Sequence, residues 1–334
     1  LMIKKNRAGI FGTGFYLPDE KLTNFDLEKM VDTSDEWIVE RTGIHERRIA
    51  GKTMATSDMA FNAAKMALED AGITPDELDL IIVATISSDR IIPSTACMLQ
   101  NMLGAAHAAA FDLTAACSGF IYASSVAAQF IESGVYKKIL VIGAETLSRF
   151  INWQDRNTCV IFGDGAGAAV YGAVDGEYGI LGFDLGADGA GGDYLDIPAG
   201  GSRCPASIET VENKLHYLRM NGREVFRFSV KIFGETILKS LEKADLQKKD
   251  IDWLVPHQAN IRIIKTGAKR LAVPMEKIIV NIDKYGNTSA ASVPIALAEA
   301  AHSKLLKKGD VLALVGFGAG LTWASCIMKW SREE

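Results

Sequence analysis

Paired cysteines are missing from this sequence. The five present, Cys97, Cys117, Cys159, Cys204 and Cys326, are odd in number and widely scattered, without the short paired spacings of a zinc site or a disulfide framework. Such usage points to a reducing, cytosolic compartment. A surplus of positive charge is also lacking: 36 Lys plus Arg stand against 41 Asp plus Glu, a formal net charge of -5. Nucleic acid is therefore not expected as the main partner, and any basic contact patch must be local. No apolar run reads as a membrane span, since the longest candidate, residues 108–131, is broken by Asp112, Ser118, Gly119 and Gln129 and reads as a buried helix. The opening Leu1-Met2-Ile3-Lys4-Lys5 leads toward a strand-like segment without the apolar core and cleavage site of a secretion signal. A Pro/Ser-rich linker is absent too, so one continuous body is expected.

What is present is a hydrophobic content of 48% over 334 residues, enough for a large core, and a pattern written twice. Ala67-Leu68-Glu69-Asp70-Ala71-Gly72-Ile73, followed by Asp76 to Val83, reads as a helix end, a turn and a buried strand. Ser240-Leu241-Glu242-Lys243-Ala244-Asp245-Leu246, followed by Lys249 to Pro256, repeats it, with Leu68 and Leu241, Ala71 and Ala244, and Asp79 and Asp252 at one offset of 173. Lys138 to Ala144 and Asp310 to Gly316 agree at an offset of 172. Two related α/β halves are expected, residues 1–175 and 176–334, with strands buried on both faces. Each half carries an Ala/Ser-rich helix, near 117–133 and 289–307, whose small side chains suit a central position between sheets.

Phe111-Asp112-Leu113-Thr114-Ala115-Ala116-Cys117-Ser118-Gly119-Phe120 reads as strand, sharp turn and helix, with Cys117 at the helix N-terminus. Exposed N–H groups there favour an anion, so a lowered thiol pKa is expected. Val255-Pro256-His257-Gln258-Ala259-Asn260 sets His257 at the C-terminal end of a strand, where open α/β sheets place ligands. Asn287, in Lys284-Tyr285-Gly286-Asn287-Thr288-Ser289, reads on its own as a cap or turn residue. The offset of 173, however, carries position 117 to 290, beside it. Val315-Gly316-Phe317-Gly318-Ala319-Gly320 is a glycine loop after a strand, able to bring backbone N–H groups to a reacting carbonyl. Gly12-Thr13-Gly14 and Gly163-Asp164-Gly165-Ala166-Gly167 lack the spacing and acidic partner of a dinucleotide site.

Taken together, Ala116-Cys117-Ser118-Gly119-Phe120, Phe162-Gly163-Asp164-Gly165-Ala166-Gly167-Ala168, Pro256-His257-Gln258-Ala259-Asn260 and Gly286-Asn287-Thr288-Ser289-Ala290-Ala291-Ser292 resemble the thiolase superfamily. Within it the likeness is to the β-ketoacyl-acyl carrier protein synthase III type. The resemblance implies a duplicated α-β-α-β-α layered fold and a homodimer. It also implies a decarboxylative condensation of an acyl-CoA primer with malonyl-acyl carrier protein that starts fatty-acid chains, with acyl-CoA as substrate and no cofactor or metal. The catalytic Cys-His-Asn set would fall on Cys117, His257 and Asn287. Asparagine at 287, where elongating synthases carry a second histidine, points to the priming type; plant-type polyketide synthases share Cys-His-Asn and stay as an alternative, as does an acyl-transferring relative.

By the same resemblance, the oxyanion would be held by the backbone N–H groups of Cys117 and Ala319, an alanine where the family usually has glycine. Coenzyme A would meet Trp37, Arg41, Arg156 and Asn260. Trp37 and Arg41 lie four residues apart on a helix opened by Thr33-Ser34-Asp35 and share a face; the spacing alone fits equally an ordinary surface pair or an adenine sandwich. Arg262, Lys265 and Lys269 recur at helical spacing with Arg270 adjacent, either a solvated face or a docking stripe for an acidic carrier protein. Ile92 and Phe317 would line the acyl pocket, Ile92 from the partner subunit. Many relatives have Phe at 92, so a primer longer than acetyl is expected.

Overall fold

Leu80–Ala84 is apolar at every position, and in the computed structural model, which describes residues 6–333, all five residues are buried. The N-terminal run Leu1-Met2-Ile3-Lys4-Lys5 lies outside the described residues. Side chains alternate across a strand, so a strand covered on both faces must be apolar throughout. Leu80 and Ile82 enter one core while Ile81 and Val83 enter another. The same division recurs at Ile139 and Val141 against Leu140 and Ile142, and at Leu312 and Leu314 against Ala313 and Val315.

These strands belong to two sheets. The first is built from β1 (Arg7–Tyr16), β2 (Leu80–Ala84), β3 (Ala109–Leu113), β4 (Lys138–Glu145) and β5 (Gly165–Val174), in the order β1-β5-β4-β2-β3. The second is built from β6 (Gly179–Ala187), β7 (Trp253–Pro256), β8 (Val311–Gly318) and β9 (Thr322–Lys329), in the order β7-β8-β9-β6. Pairings match along both: β4 runs parallel to β2 and antiparallel to β5, as β8 runs parallel to β7 and antiparallel to β9. The outer strand β1 is antiparallel to β5, as β6 is to β9. The chain is thus an α/β protein of the thiolase-like duplicated type. Its second sheet lacks only a full counterpart of β3, where a single bridge, Leu254 to Ile278, stands instead.

Six helices matter for the site: α1 (Asp35–Thr42), α2 (Thr56–Ala71), α3 (Gly119–Glu132), α4 (Gly222–Lys243), α5 (Ile261–Leu271) and α6 (Ser292–His302). Helix α2 covers the outer face of the first sheet, and α4 with α5 cover that of the second. Between the sheets lie α3 and α6, whose Ala123, Ala127, Ala296 and Ala300 share one core with strands of both. Alanine carries the helix close to a flat sheet on each side at no cost in side-chain entropy. Five layers result, and the two central helices begin at the same end of the molecule. Each is preceded by a short 3₁₀ turn, Ala116–Ser118 and Ser289–Ala291, so the helices proper begin two to three residues later than their sequence suggests.

Candidate active site

Each of those turns opens with a left-handed residue that is not glycine: Ala116 at φ 46° and Ser289 at φ 50°. A side chain in that region costs on the order of 1–3 kcal/mol and persists only where the surroundings enforce it. Around Ala116 the surroundings are the glycine loop. A Cβ on Gly318 would stand 2.7 Å from the Cys117 nitrogen and 3.0 Å from the Cys117 Cβ, and one on Gly316 would stand 3.0 Å from the Cys117 carbonyl oxygen. The loop therefore lets β8 press against the cysteine turn. Ala319 is not among the positive-φ residues, so alanine fits there without backbone strain.

Burial reverses one expectation. Cys117 precedes α3, but its thiol is enclosed, and removal from water pushes its pKa up to about 12; the Ser289 hydroxyl, 3.4 Å away, opposes the rise and the nearby Glu145 adds to it. The lowered value inferred from the helix N-terminus does not hold, because desolvation of a thiolate outweighs the field of one helix end. The resting thiol is protonated.

His257 follows the end of β7 and is likewise enclosed; burial depresses its pKa to about 3, so the ring is neutral. Its Nδ1 lies 2.7 Å from the Ser292 hydroxyl, whose oxygen accepts the Gln258 N–H at 3.3 Å. In the tautomer in which the hydroxyl donates to Nδ1, the ring proton sits on Nε2. Phe317 meets the ring edge-on at 5.6 Å. Asn287 is held by backbone bonds from its N–H to Ile161 and from the Gly163 N–H to its carbonyl, 2.9 and 3.0 Å. Its Oδ1 accepts the Ser289 N–H at 2.8 Å. The amide oxygen is thereby engaged and the NH2 end is the donor on offer. Asp164, in the neighbouring glycine-rich motif, holds loops together: its carboxylate accepts the Ala50 and Ser148 N–H groups and the Ser148 hydroxyl.

Cys117, His257, Asn287 and Phe317 line a single cavity. Through Ile161, Met220, Phe226 and Asn260 it adjoins an outer cavity of about 1040 Å³ that also has Trp37, Arg41 and Arg262 in its wall. On its other side an apolar cavity of about 190 Å³ runs behind Cys117, bounded by Ile86, Leu147, Ile197, Leu218 and Ala319. The arrangement is a wide mouth, a polar waist and an apolar end, suited to a long ligand with a charged head and a hydrophobic tip.

Around the mouth, Ser34 caps α1 and Asn260 caps α5, while the Asn260 amide also donates to the Arg41 carbonyl at 2.8 Å and ties the two helices together. The guanidinium groups of Arg41 and Arg156 lie 4.8 and 4.7 Å from the Trp37 ring. A sandwiched base needs roughly twice an aromatic stacking distance, so a guanidinium must swing away from Trp37 to admit one. Arg262, Lys265, Lys269 and Arg270 are all exposed on α5, but not as a uniform stripe. Arg262 sits over Phe226 in the wall of the outer cavity, and Arg270 donates to the Val230 carbonyl. Ile92 is 83% exposed and lines neither cavity beside Cys117 in its own chain.

Comparison with known proteins fits this geometry. Residues 111–189 match the model of the 3-oxoacyl-[acyl-carrier-protein (ACP)] synthase III family, and residues 241–330 match that of its C-terminal part. Beta-ketoacyl-[acyl-carrier-protein] synthase III of Caldanaerobacter subterraneus subsp. tengcongensis is 62% identical over 331 residues, covering 99% of this chain and 100% of the relative. The chain belongs to the 3-oxoacyl-[acyl-carrier-protein] synthase III family. This synthase III chain is accordingly a condensing enzyme, an acyltransferase. The crystal structure of the Aquifex aeolicus synthase III superposes with a TM-score of 0.89 at 48% identity, over 97% of this chain and 100% of that one. The priming β-ketosynthase of the R1128 polyketide pathway superposes at 0.90 with 36% identity, over 100% and 99%.

Three positions in this synthase III site escape a reading of the sequence. Ser289 and Ser292 stand inside a motif notable for its asparagine, and nothing in their spacing marks them. Glu145 has a signal: it is an acid closing a strand that is apolar and buried from Ile139 to Ala144, and it is 0% exposed. The apolar end behind Cys117 draws on Ile86, Leu147, Ile197 and Leu218, which are too far apart in sequence to form a pattern.

Proposed function

We propose that this protein condenses an acyl-CoA primer with malonyl-acyl carrier protein in the cytosol, through an acyl group carried on Cys117, and so begins fatty-acid chains. Cys117 attacks the thioester and the oxyanion is held by the Cys117 and Ala319 N–H groups. Decarboxylation of the malonyl group then builds an enolate oxygen that meets the N–H of neutral His257 and the NH2 of Asn287. Both give hydrogen bonds without surrendering a proton, since a neutral imidazole and an amide are very weak acids. Acyl-CoA is a substrate, and the reaction draws on no cofactor. The observation that carries this reading is the shared cavity of Cys117, His257 and Asn287, with an apolar end behind the sulfur. Its test is intact-protein mass spectrometry after mixing with acyl-CoA compounds. One acyl mass on Cys117, discharged by malonyl-acyl carrier protein, supports it; labelling elsewhere, or none, rejects it.

Coenzyme A is assigned to the outer cavity, against Trp37, Arg41, Arg156 and Asn260, and the acidic carrier protein to exposed α5. Because Arg262 borders the coenzyme cavity, the clean test reverses Lys265 and Lys269 alone. Lys265→Glu with Lys269→Glu is expected to lower the rate with malonyl-acyl carrier protein by about tenfold, through slower encounter, and to spare acyl-CoA labelling. Equal loss in both assays rejects the docking assignment.

A homodimer fits the exposure of Ile91 and Ile92, 87% and 83% in the single chain, and we assign Ile92 to the far end of the partner's acyl pocket. Isoleucine in place of the phenylalanine of many relatives leaves room for added carbons, each buried methylene contributing about 0.8 kcal/mol. Butyryl- or isobutyryl-CoA is expected to compete with acetyl-CoA, and Ile92→Phe to shift the choice toward acetyl several-fold or about tenfold. Exclusive acetyl labelling, unchanged in Ile92→Phe, counts against it.

A further inference from the structure

Deprotonation of Cys117 is left without an agent by the three assigned residues. The thiol is protonated at rest and buried, the His257 ring that donates from Nε2 in the proposed enolate step has its Nδ1 engaged with Ser292, and an amide is no base. The hydrogen bond that the thiol makes leads elsewhere. Its S–H donates to Ser289 Oγ at 3.4 Å, and that hydroxyl donates onward to Glu145 Oε1 at 3.0 Å. Every donor in the line points from sulfur to carboxylate.

Glu145 is an unusual group to leave at the end of β4. It is 0% exposed, and a carboxylate taken from water without a cation is costly. From the segment after β2 it receives the Ile86 N–H and the hydroxyls of Thr85 and Ser87; from the turn before α6 it receives Ser289. Thr146, next to it, is engaged with Ser87 and Thr56. Among the described residues none of these facing groups is charged, and the titratable group joined to Glu145 through Ser289 is the Cys117 thiol. Four hydrogen bonds make the anion tolerable; none requires it.

We propose that Ser289 and Glu145 form the proton outlet of Cys117. On acylation the thiol proton passes to Ser289 Oγ as the Ser289 proton passes to Glu145, and on condensation the departing thiolate recovers it by the reverse route. The proposal rests on the acyl-Cys117 reading above. In the first half the bond from the acyl carbon to the coenzyme A sulfur breaks, the bond to Cys117 forms, the coenzyme A thiolate takes a proton from solvent, and Glu145 holds the thiol's own proton. In the second, carbon dioxide leaves, the electron pair of the broken C–C bond becomes the enolate and attacks the acyl carbon, and the C–S bond breaks onto sulfur. Glu145 then returns its proton, restoring a neutral thiol and a carboxylate. Burial lifts the Glu145 pKa from 4.5 to about 7, which suits a group that must both take and release a proton near neutrality. Ser289 touches the reacting sulfur and is the catalytic member; Glu145, acting through it, is a positioning residue.

The test is the rate of Cys117 acylation by acyl-CoA, read by quenched-flow mass spectrometry between pH 5.5 and 9, in wild type, Glu145→Gln and Ser289→Ala. Wild type is expected to accelerate through an inflection near the Glu145 pKa. Both variants are expected to be slower by about 10- to 100-fold at pH 7 and to lose that inflection. Ser289→Ala removes one hydroxyl and keeps the other Glu145 donors, so it guards against a folding defect in Glu145→Gln. A variant that keeps the inflection, whether fast or slow, overturns the outlet and leaves Ser289 and Glu145 as scaffolding. If wild type forms no acyl-Cys117 at all, the parent reading falls and the outlet with it; wild-type labelling with undiminished variants removes the outlet alone.

Discussion

Cys117→Ala protein is expected to take up no acyl group, its intact mass staying unchanged under conditions that add one acyl mass to the wild type. Turnover should fall by a factor on the order of 10³ or more, as for loss of the nucleophile in other covalent enzymes. The other four cysteines offer no substitute. Cys159 and Cys326 are buried without lining the cavities beside Cys117, and Cys97 and Cys204 lie outside them as well. Burial also pushes the Cys159 thiol up, to about 11, which keeps it protonated and unreactive at working pH. A stable acyl adduct on any of the four in the Cys117→Ala protein would remove Cys117 from its assigned place.

His257→Ala and Asn287→Ala should behave differently: acylation of Cys117 persists within a few-fold, while condensation falls by about 10²- to 10³-fold in each, the usual cost of losing one donor to a developing oxyanion. The reasoning rests on where their polar ends are tied. Ser292 holds Nδ1 of His257, and the Ser289 N–H holds Oδ1 of Asn287, so each offers one N–H function. Because the His257 pKa is depressed to about 3, the neutral ring persists as pH rises from there, and no step in the condensation rate between pH 5 and 9 should trace to its titration. Single-turnover assays that load the acyl group first and then add malonyl-acyl carrier protein separate the two halves. Normal condensation in either variant would disprove its role, and loss of acylation equal to loss of condensation would assign the residue to the first step instead.

The order of apolar runs and the offset of 172–173 were enough to read two related α/β halves in one body and to set the two small-residue helices between sheets, because burial on both faces leaves its mark on every residue of a strand; the full layered fold came with the resemblance. Cys117 and His257 carried local signals as ends of elements, and the offset set position 117 against 290, beside Asn287, but naming the three as one catalytic set came from the resemblance. What only the tertiary structure decided is everything that depends on distance between remote segments or on exclusion of water. Sequence patterns record which residue types neighbour one another along the chain, whereas a pKa records how much solvent the whole fold removes. Thus the thiol expected to be acidified by a helix end is instead raised by burial. Ser289 and Glu145, 144 residues apart, become neighbours only when the turn before α6 packs on the end of β4. Arg262, one member of a helical stripe by spacing, parts from Lys265 and Lys269 because Phe226 of α4 draws it over the outer cavity.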